Sequence, residues 1–269
     1  MGGRLSTPID NKIQSFPINS WEQEFKYAKQ IGFDCMEWVF DTLQPNPIIT
    51  EECKNIQKNC QSTNLEINSV CADYFMEKLL FGVDQISLEK NLLILKKLIS
   101  NCQKIEIPII EIPLVDSSSI KNKEKRIEFV NNLIPICEFA DKNNIILSIE
   151  TDLPPFQFKE FLKNFDQNVV KANYDVGNSI SNGYDVEEEL EILGSFIANI
   201  HVKDRLIGGG TVTLGYGDVN FSKFFSALKK INYRGDFIIQ GAREDGINPK
   251  TTSEKYLKFV KQYTHKYLI

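Results

Sequence analysis

Short runs of apolar and β-branched residues alternate with longer amphipathic stretches along nearly the whole chain, and this alternation constrains the fold more than any other feature. A helix hides one face on a 3.6-residue period, whereas a strand buried on both faces reads as an unbroken apolar run. The strand-like segments are "GFDCMEWVF", "LEINSVCA", "IEIPIIEIPLV", "IILSIE", "VVKANYD", "IANIHV" and "DFIIQ", separated by helix-like ones such as "TEECKNIQKNCQST" and "SLEKNLLILKKLISNCQK". "NSWEQEFKYAKQIG" opens the series: Ser20, with Gln23 three residues on, predicts a capping box, and Gly32 a helix stop. Repeated βα units of this kind build a parallel sheet.

Seven strands are clear, and an eighth is expected near the start around "GRLS", short because "MGGRLS" holds little apolar sequence. Eight βα units in a chain of this size are the arithmetic of an α/β protein of the (β/α)8 TIM barrel type. A doubly wound open sheet is the runner-up, but no GxGxxG follows the first strand and no GxxxxGK[ST] occurs anywhere. No Pro/Gly/Ser-rich linker, charge block or low-complexity tract divides the chain, so residues 1–269 read as one domain. At 42% hydrophobic residues it can bury a core of barrel size.

The formal net charge of -5 argues against a grip on nucleic acid phosphates and points to a small ligand. No apolar run approaches the roughly 20 residues that cross a bilayer, and the N-terminal stretch lacks the apolar core of a signal peptide. The cysteines at 35, 53, 60, 71, 102 and 137 show no CxxC spacing and sit mostly among apolar neighbours. Buried thiols in a reducing, cytoplasmic setting are the expectation.

Barrel strands buried on both faces should be apolar throughout, so a polar group at a strand's C-terminal end needs a reason, and in barrels that reason is usually the active site. Four consecutive strands end this way: Glu150 closes "IILSIE", Asp175 closes "VKANYD", His201 follows "IANI" and Gln240 closes "DFIIQ". A lone acid at a strand end is often only the N-cap of the next helix, and a lone histidine only a structural one. Four such ends in succession favour a site. Two carboxylates, an imidazole and an amide oxygen suit one divalent Mn, Co, Mg or Zn ion rather than a soft metal. His201 gains weight because the chain has 2 histidines in all, the other being His265 in the last helix.

"SIETD", "NYDVGN", "HVKDR" and "LGYGDVNFSKFFSALKKINYRGDFIIQGAR", with "GRLS" and "IQSFP" near the start, resemble the sugar phosphate isomerase/epimerase family of the xylose isomerase-like TIM barrel superfamily. The resemblance implies one divalent metal held from strands five to eight, and two glutamates that flank the sugar and move protons. Carried onto this chain, the metal ligands are Glu150, Asp175, His201 and Gln240, with Glu150 and Gln240 at the two catalytic positions. Gln240 departs from the family's glutamate, Asn178 stands where a substrate-contacting histidine often lies, and Phe156 replaces a glutamate of some sugar epimerases. By the same resemblance a homodimer is expected, and the endonuclease branch is disfavoured by the scarcity of histidine.

An amide oxygen still coordinates a hard cation but accepts no proton at neutral pH. Epimerisation normally needs a group on each face of the carbon, whereas aldose–ketose isomerisation proceeds with one base on one face. The expectation is therefore a metal-dependent isomerase or epimerase of a small sugar or sugar phosphate, isomerisation preferred. The alternatives are a dehydratase or lyase of a keto-sugar, and a sugar-binding barrel impaired by Gln240. Glu37, at the end of the first clear strand, and Lys203 are candidate replacement bases. Glu37, Asn178, Lys203, Arg205 and Arg243 are expected to contact substrate, the two arginines as phosphate ligands. "IGGGTVTLGYGD" either wraps a ligand with backbone N–H groups or is simply mobile.

Overall fold

The fold is given by a computed structural model that describes residues 1–10 and 12–268. Six strands follow one another as parallel neighbours: β1 (Cys35–Val39), β2 (Glu66–Cys71), β3 (Ile109–Leu114), β4 (Ile146–Thr151), β5 (Val170–Asp175) and β6 (Ile197–Val202). A small antiparallel ribbon, β7 (Asp204–Arg205) with β8 (Thr211–Val212), interrupts the series before β9 (Phe237–Ile239) joins the sheet beside β6. The helices are α1 (Trp21–Ile31), α2 (Cys53–Thr63), α3 (Tyr74–Glu77), α4 (Gln85–Lys104), α5 (Lys123–Lys142), α6 (Pro155–Leu162), α7 (Val176–Ser181), α8 (Val186–Leu193), α9 (Phe221–Lys230) and α10 (Pro249–Tyr267). Purely sequential parallel pairing is the order of a barrel and excludes the doubly wound sheet, whose strand order reverses.

The core lies between strands and helices. On α4, Leu88, Leu95, Leu98, Ile99 and Cys102 are buried, at the three- and four-residue spacing that places them on one face. Ile110 and Ile112 of β3 are fully buried. Among the described residues all six cysteines are free thiols, three buried and three half-buried, as their apolar surroundings predicted. No described helix is long and apolar enough to cross a membrane.

The expected eighth strand around "GRLS" does not form; residues 2–5 are turns and the sheet has seven strands. Gly3 explains this. Its φ of 77° is left-handed, and a Cβ there would lie 2.5 Å from the Ser15 carbonyl oxygen, so the backbone turns where a strand would have to run on. The segment is nonetheless held firmly. Gly2 N–H donates to the Glu37 carbonyl at 2.7 Å. The buried Glu24 carboxylate on α1 accepts from Gly3 N (2.6 Å) and Leu5 N (3.1 Å).

The start of α1 also differs from the expected capping box. Ser20 makes no cap bond to the helix backbone, and its hydroxyl donates instead to Ser6 Oγ at 2.7 Å. Gly32 does stop α1, in the left-handed conformation at φ 95°.

Candidate functional site

Glu150, Asp175 and His201 lie at or next to the C-terminal ends of β4, β5 and β6, and register places Asp175 beside His201. One ligand atom from each falls within 4.8 Å of the others, and all three residues are buried. His201 Nδ1 faces Glu150 Oε2 at 3.6 Å and Asp175 Oδ2 at 3.9 Å. Its other nitrogen, Nε2, lies 2.9 Å from Glu37 Oε2. A carboxylate on Nε2 fixes the ring and turns Nδ1 toward the two acids, the arrangement that metal-binding histidines commonly show.

Glu37 is therefore placed differently from the expected substrate contact or base. It is 0% exposed, and its Oε1 accepts from Ser69 Oγ (2.7 Å) and Asn199 Nδ2 (2.9 Å). Both oxygens are engaged inside the barrel, so it orients His201 from beneath. Burial would raise the Glu37 pKa, but the His201 pairing overrides it and holds it below the ordinary range. Burial likewise would lower that of His201, and Glu37, aided by Glu150 and Asp175, raises it instead.

Glu150 is held by two amides: Asn173 Nδ2 donates to Oε2 at 3.0 Å, and Asn178 Nδ2 donates to Oε1. Burial, then the charge of Asp175, lifts its pKa to about 6 against the opposing pull of His201 and Lys203. Asp175 is an N-cap and also turns its second oxygen toward His201. Oδ1 caps α7 by accepting from Asn178 N at 2.9 Å, while Oδ2 faces His201 and lies 2.8 Å from Lys203 Nζ.

Gln240 follows β9, and its N–H donates to the Val202 carbonyl at 3.0 Å, which places it beside β6. Its Nε2 donates to Gln14 Oε1 at 2.8 Å. That leaves Oε1, the only Gln240 side-chain atom able to coordinate a cation, buried with no hydrogen-bond partner. Gln14 in turn donates to Asp73 Oδ2 at 2.6 Å.

The donor set fits a hard divalent cation. Two carboxylates, an imidazole nitrogen and an orphaned amide oxygen come from successive strand ends.

Beside this set, Asn178 Oδ1 accepts from Arg205 Nη1 at 2.7 Å and lies 3.4 Å from Lys203 Nζ. Asn178, Lys203 and Arg205 thus gather next to Glu150 and Asp175. Arg205 also donates twice to the Gly209 carbonyl, from Nε (3.1 Å) and Nη2 (2.8 Å). Arg243 does not join this group. Its Nη2, Nη1 and Nε donate to the carbonyls of Gly3 (2.7 Å), Ser6 (2.9 Å) and Ile13 (3.1 Å), so its guanidinium clasps the N-terminal segment rather than facing a phosphate.

The glycine-rich loop is neither a free anion cradle nor slack. Asp204 accepts from the N–H groups of Gly215 (2.8 Å), Gly217 (2.9 Å) and Val219 (3.2 Å). A Cβ on Gly217 would collide with that carboxylate, at 2.2 Å from Asp204 Oδ1. The N–H groups of Gly215 and Gly217 are therefore already taken.

Several residues of the site were not singled out from the sequence. Ser148, Asn173 and Asn199 each stand two residues before Glu150, Asp175 and His201, and the two-residue period of a strand puts them on the same interior face. A polar residue at that offset was a readable signal. Glu111, opposite Cys71 and Ser148 in register, is 0% exposed with both carboxyl oxygens unpartnered. Burial, then Glu150, Glu37 and Asp73, raise its pKa well above the ordinary carboxylate value.

Fold and site together define a class: a parallel α/β barrel with two carboxylates and an imidazole converging at the C-terminal ends of its strands. More narrowly, the chain belongs to the xylose isomerase-like TIM barrel family, whose profile matches residues 25–263. It is 25% identical over 258 residues to L-ribulose-5-phosphate 3-epimerase UlaE of Salmonella paratyphi A, covering 90% of this chain and 89% of that protein. It is 24% identical over 271 residues to the putative L-ribulose-5-phosphate 3-epimerase SgbU of Haemophilus influenzae, covering 94% and 95%. Among solved structures, a xylose isomerase domain protein from Planctomyces limnophilus superposes with a TM-score of 0.78 at 17% identity, over 96% of this chain and 95% of that one. A D-psicose 3-epimerase crystallised in the presence of D-fructose gives 0.75 at 17%, over 90% and 93%. These two structures support the fold.

Proposed function

We propose that the protein is a sugar isomerase or epimerase that acts on a small ketose or ketose phosphate by moving a proton next to the carbonyl. The observation that carries this reading is the convergence of Glu150, Asp175 and His201 within 4.8 Å. The names of the relatives supply the substrate class. Glu150, Asp175 and His201 would hold one divalent metal, with Gln240 Oε1 as fourth ligand. Such an ion, when bound, supplies a Lewis acid that polarises the substrate carbonyl.

Glu150 is the proton-transfer residue. In the protein without an ion, burial and the charge of Asp175 raise its pKa to about 6, which suits a group that takes up and returns a proton. Asn173 and Asn178 fix the direction in which its carboxylate points. Asn178, Lys203 and Arg205 lie where they can hold substrate hydroxyl or phosphate oxygens.

The amide of Gln240 accepts no proton, so Glu150 acting alone on one face fits aldose–ketose isomerisation. The relatives' names favour 3-epimerisation, which needs a second group. Lys203, 2.8 Å from Asp175 with a side chain 12% exposed, is the candidate for it; Glu37 is enclosed and engaged on both oxygens.

The test is to incubate the protein with Mn²⁺ and a panel of pentuloses and hexuloses, free and 5-phosphorylated, in deuterated water, following the products by NMR. Deuterium next to the carbonyl in an isomeric product, absent with Glu150→Gln, is expected. An aldose product identifies the isomerase and an inverted ketose the epimerase. Net loss of water would replace this reading with a dehydratase, and no label from any ketose would overturn it.

A further inference from the structure

Helices α4 and α5 lie side by side on the outside of the barrel. Asn91 Nδ2 of α4 donates to the Leu79 carbonyl and Asn132 Nδ2 of α5 to the Leu80 carbonyl, both at 2.9 Å. Lys96 Nζ of α4 stands 6.0 Å from the ring centroid of Phe139 on α5. Both helices run back between parallel strands, so they are parallel to each other. Because Asn91 and Asn132 hold adjacent carbonyls, they stand at the same height. Each residue of α4 is therefore level with the α5 residue 41 positions on, the separation of Asn91 from Asn132.

An outward helix face should be polar, yet both helices carry aliphatic residues there, and at matching heights. Ile86 and Leu93 on α4 are 80% and 66% exposed, and Ile127 and Ile134 on α5 are 51% and 45% exposed. Seven residues are close to two turns, so each pair lies on one stripe. The 41-residue offset takes Ile86 to Ile127 and Leu93 to Ile134. It also takes Lys97 to Glu138, both exposed and one turn beyond. Four aliphatic side chains level with one another on adjacent helices form a patch rather than scattered exposures, and such patches mark interaction sites.

We propose that this face pairs with the same face of a second copy of the chain, about a two-fold axis that lies in the interface, parallel to α4 and α5 and midway between them. Rotation about such an axis shifts no residue along the helices, so α4 of one copy lies along the partner's α5 with heights preserved. Ile86 then meets the partner's Ile127, Leu93 meets the partner's Ile134 and Lys97 meets the partner's Glu138. Symmetry makes each contact twice. A two-fold axis running across the helices would instead lay α4 on its own copy and crowd Lys90 and Lys97 against the partner's Lys90 and Lys97. Charge therefore selects the parallel axis. The two helices have 20 residues each; at about 1.5 Å per residue and about 10 Å of width apiece they offer roughly 600 Å² per copy. Counted over both copies this is about 1,200 Å², the lower end for specific association, so the dimer is a reversible one.

The experiment is sedimentation equilibrium from about 1 to about 100 µM on wild type, Leu93→Asp, Lys97→Glu, Glu138→Lys and the double variant Lys97→Glu/Glu138→Lys. Circular dichroism confirms that each is folded, as expected for substitutions at exposed positions. Wild type should pass from 30.8 kDa towards twice that mass as concentration rises. Leu93→Asp should weaken the dimer by roughly 100-fold or more, because symmetry removes two covered leucines at once. Each single charge reversal should weaken it by roughly 10-fold, and the double variant should return to within about threefold of wild type. Wild type that stays at 30.8 kDa throughout would overturn the proposal. So would a dimer that Leu93→Asp leaves intact, since its interface would lie elsewhere. A double variant no tighter than the single ones would overturn the pairing of Lys97 with the partner's Glu138, and with it the parallel axis.

Discussion

Replacing Glu37 by Gln should weaken metal binding without touching a ligand, and the structure says why. Glu37 offers acceptors on both sides: Oε1 to Ser69 and Asn199, Oε2 to His201 Nε2 at 2.9 Å. A glutamine keeps only one oxygen. If its NH₂ faces His201, the ring must move its proton from Nε2 to Nδ1, the atom that looks at Glu150 and Asp175, and a protonated nitrogen coordinates nothing. If the amide flips, its NH₂ meets the Asn199 NH₂, and an unsatisfied buried donor costs about 1–3 kcal/mol. Either orientation puts a donor where an acceptor stood. Loss of such an outer partner typically costs roughly 10- to 100-fold in metal affinity. The assay is a Mn²⁺ titration of metal-free wild type and Glu37→Gln followed by electron paramagnetic resonance, with circular dichroism confirming that both are folded. Affinity in the folded variant within about threefold of wild type would refute the role assigned to Glu37.

Gln240→Glu adds a negative charge to the site and should tighten Mn²⁺ binding by roughly 10- to 100-fold, since a unit charge about 4 Å away at an effective dielectric near 20 is worth a few kcal/mol. The same titration reads it, and unchanged affinity would mean that residue 240 is not a ligand. Glu189, 4% exposed on α8 and accepting from the Tyr174 hydroxyl at 2.9 Å, has its pKa raised to about 8 by burial. A carboxyl raised in the folded state stabilises fully below its unfolded pKa, and that contribution is lost as pH climbs through the folded one. Wild type should therefore lose about 3–5 kcal/mol between pH 4.5 and 8 at this group. Urea melts of Glu189→Gln over that range should show the loss removed, and parallel curves for the two proteins would refute it. Arg243→Ala removes three donors from the carbonyls of Gly3, Ser6 and Ile13 and should cost about 2–4 kcal/mol in urea melts, while leaving Mn²⁺ affinity within about twofold. A large loss of affinity instead would place Arg243 in the site.

What could be read from the sequence follows from how local each signal is. The strands from "GFDCMEW" to "DFIIQ" were legible because a doubly covered strand must be apolar, and Glu150, Asp175 and His201 stood out as exceptions at strand ends. The ion-pair role of Glu37 was not legible. It depends on β1 and β6 facing each other across the barrel, a contact between residues 37 and 201 that no local pattern encodes. Arg243 misled for a related reason. Its place after the last strand is where phosphate ligands sit, but the missing first strand leaves carbonyls of the N-terminal segment that its guanidinium satisfies. The loop glycines misled too: the distant Asp204, not a ligand, gathers their N–H groups. At "GRLS" the sequence motif pointed to a strand, whereas the left-handed backbone at Gly3 makes a turn.

The most direct test of the site is metal stoichiometry by elemental analysis of wild type and His201→Ala after dialysis against Mn²⁺. One ion per chain in wild type and none in the folded variant is the result predicted by a site built from Glu150, Asp175, His201 and Gln240. An ion-free wild type, or an ion retained by His201→Ala, would contradict it.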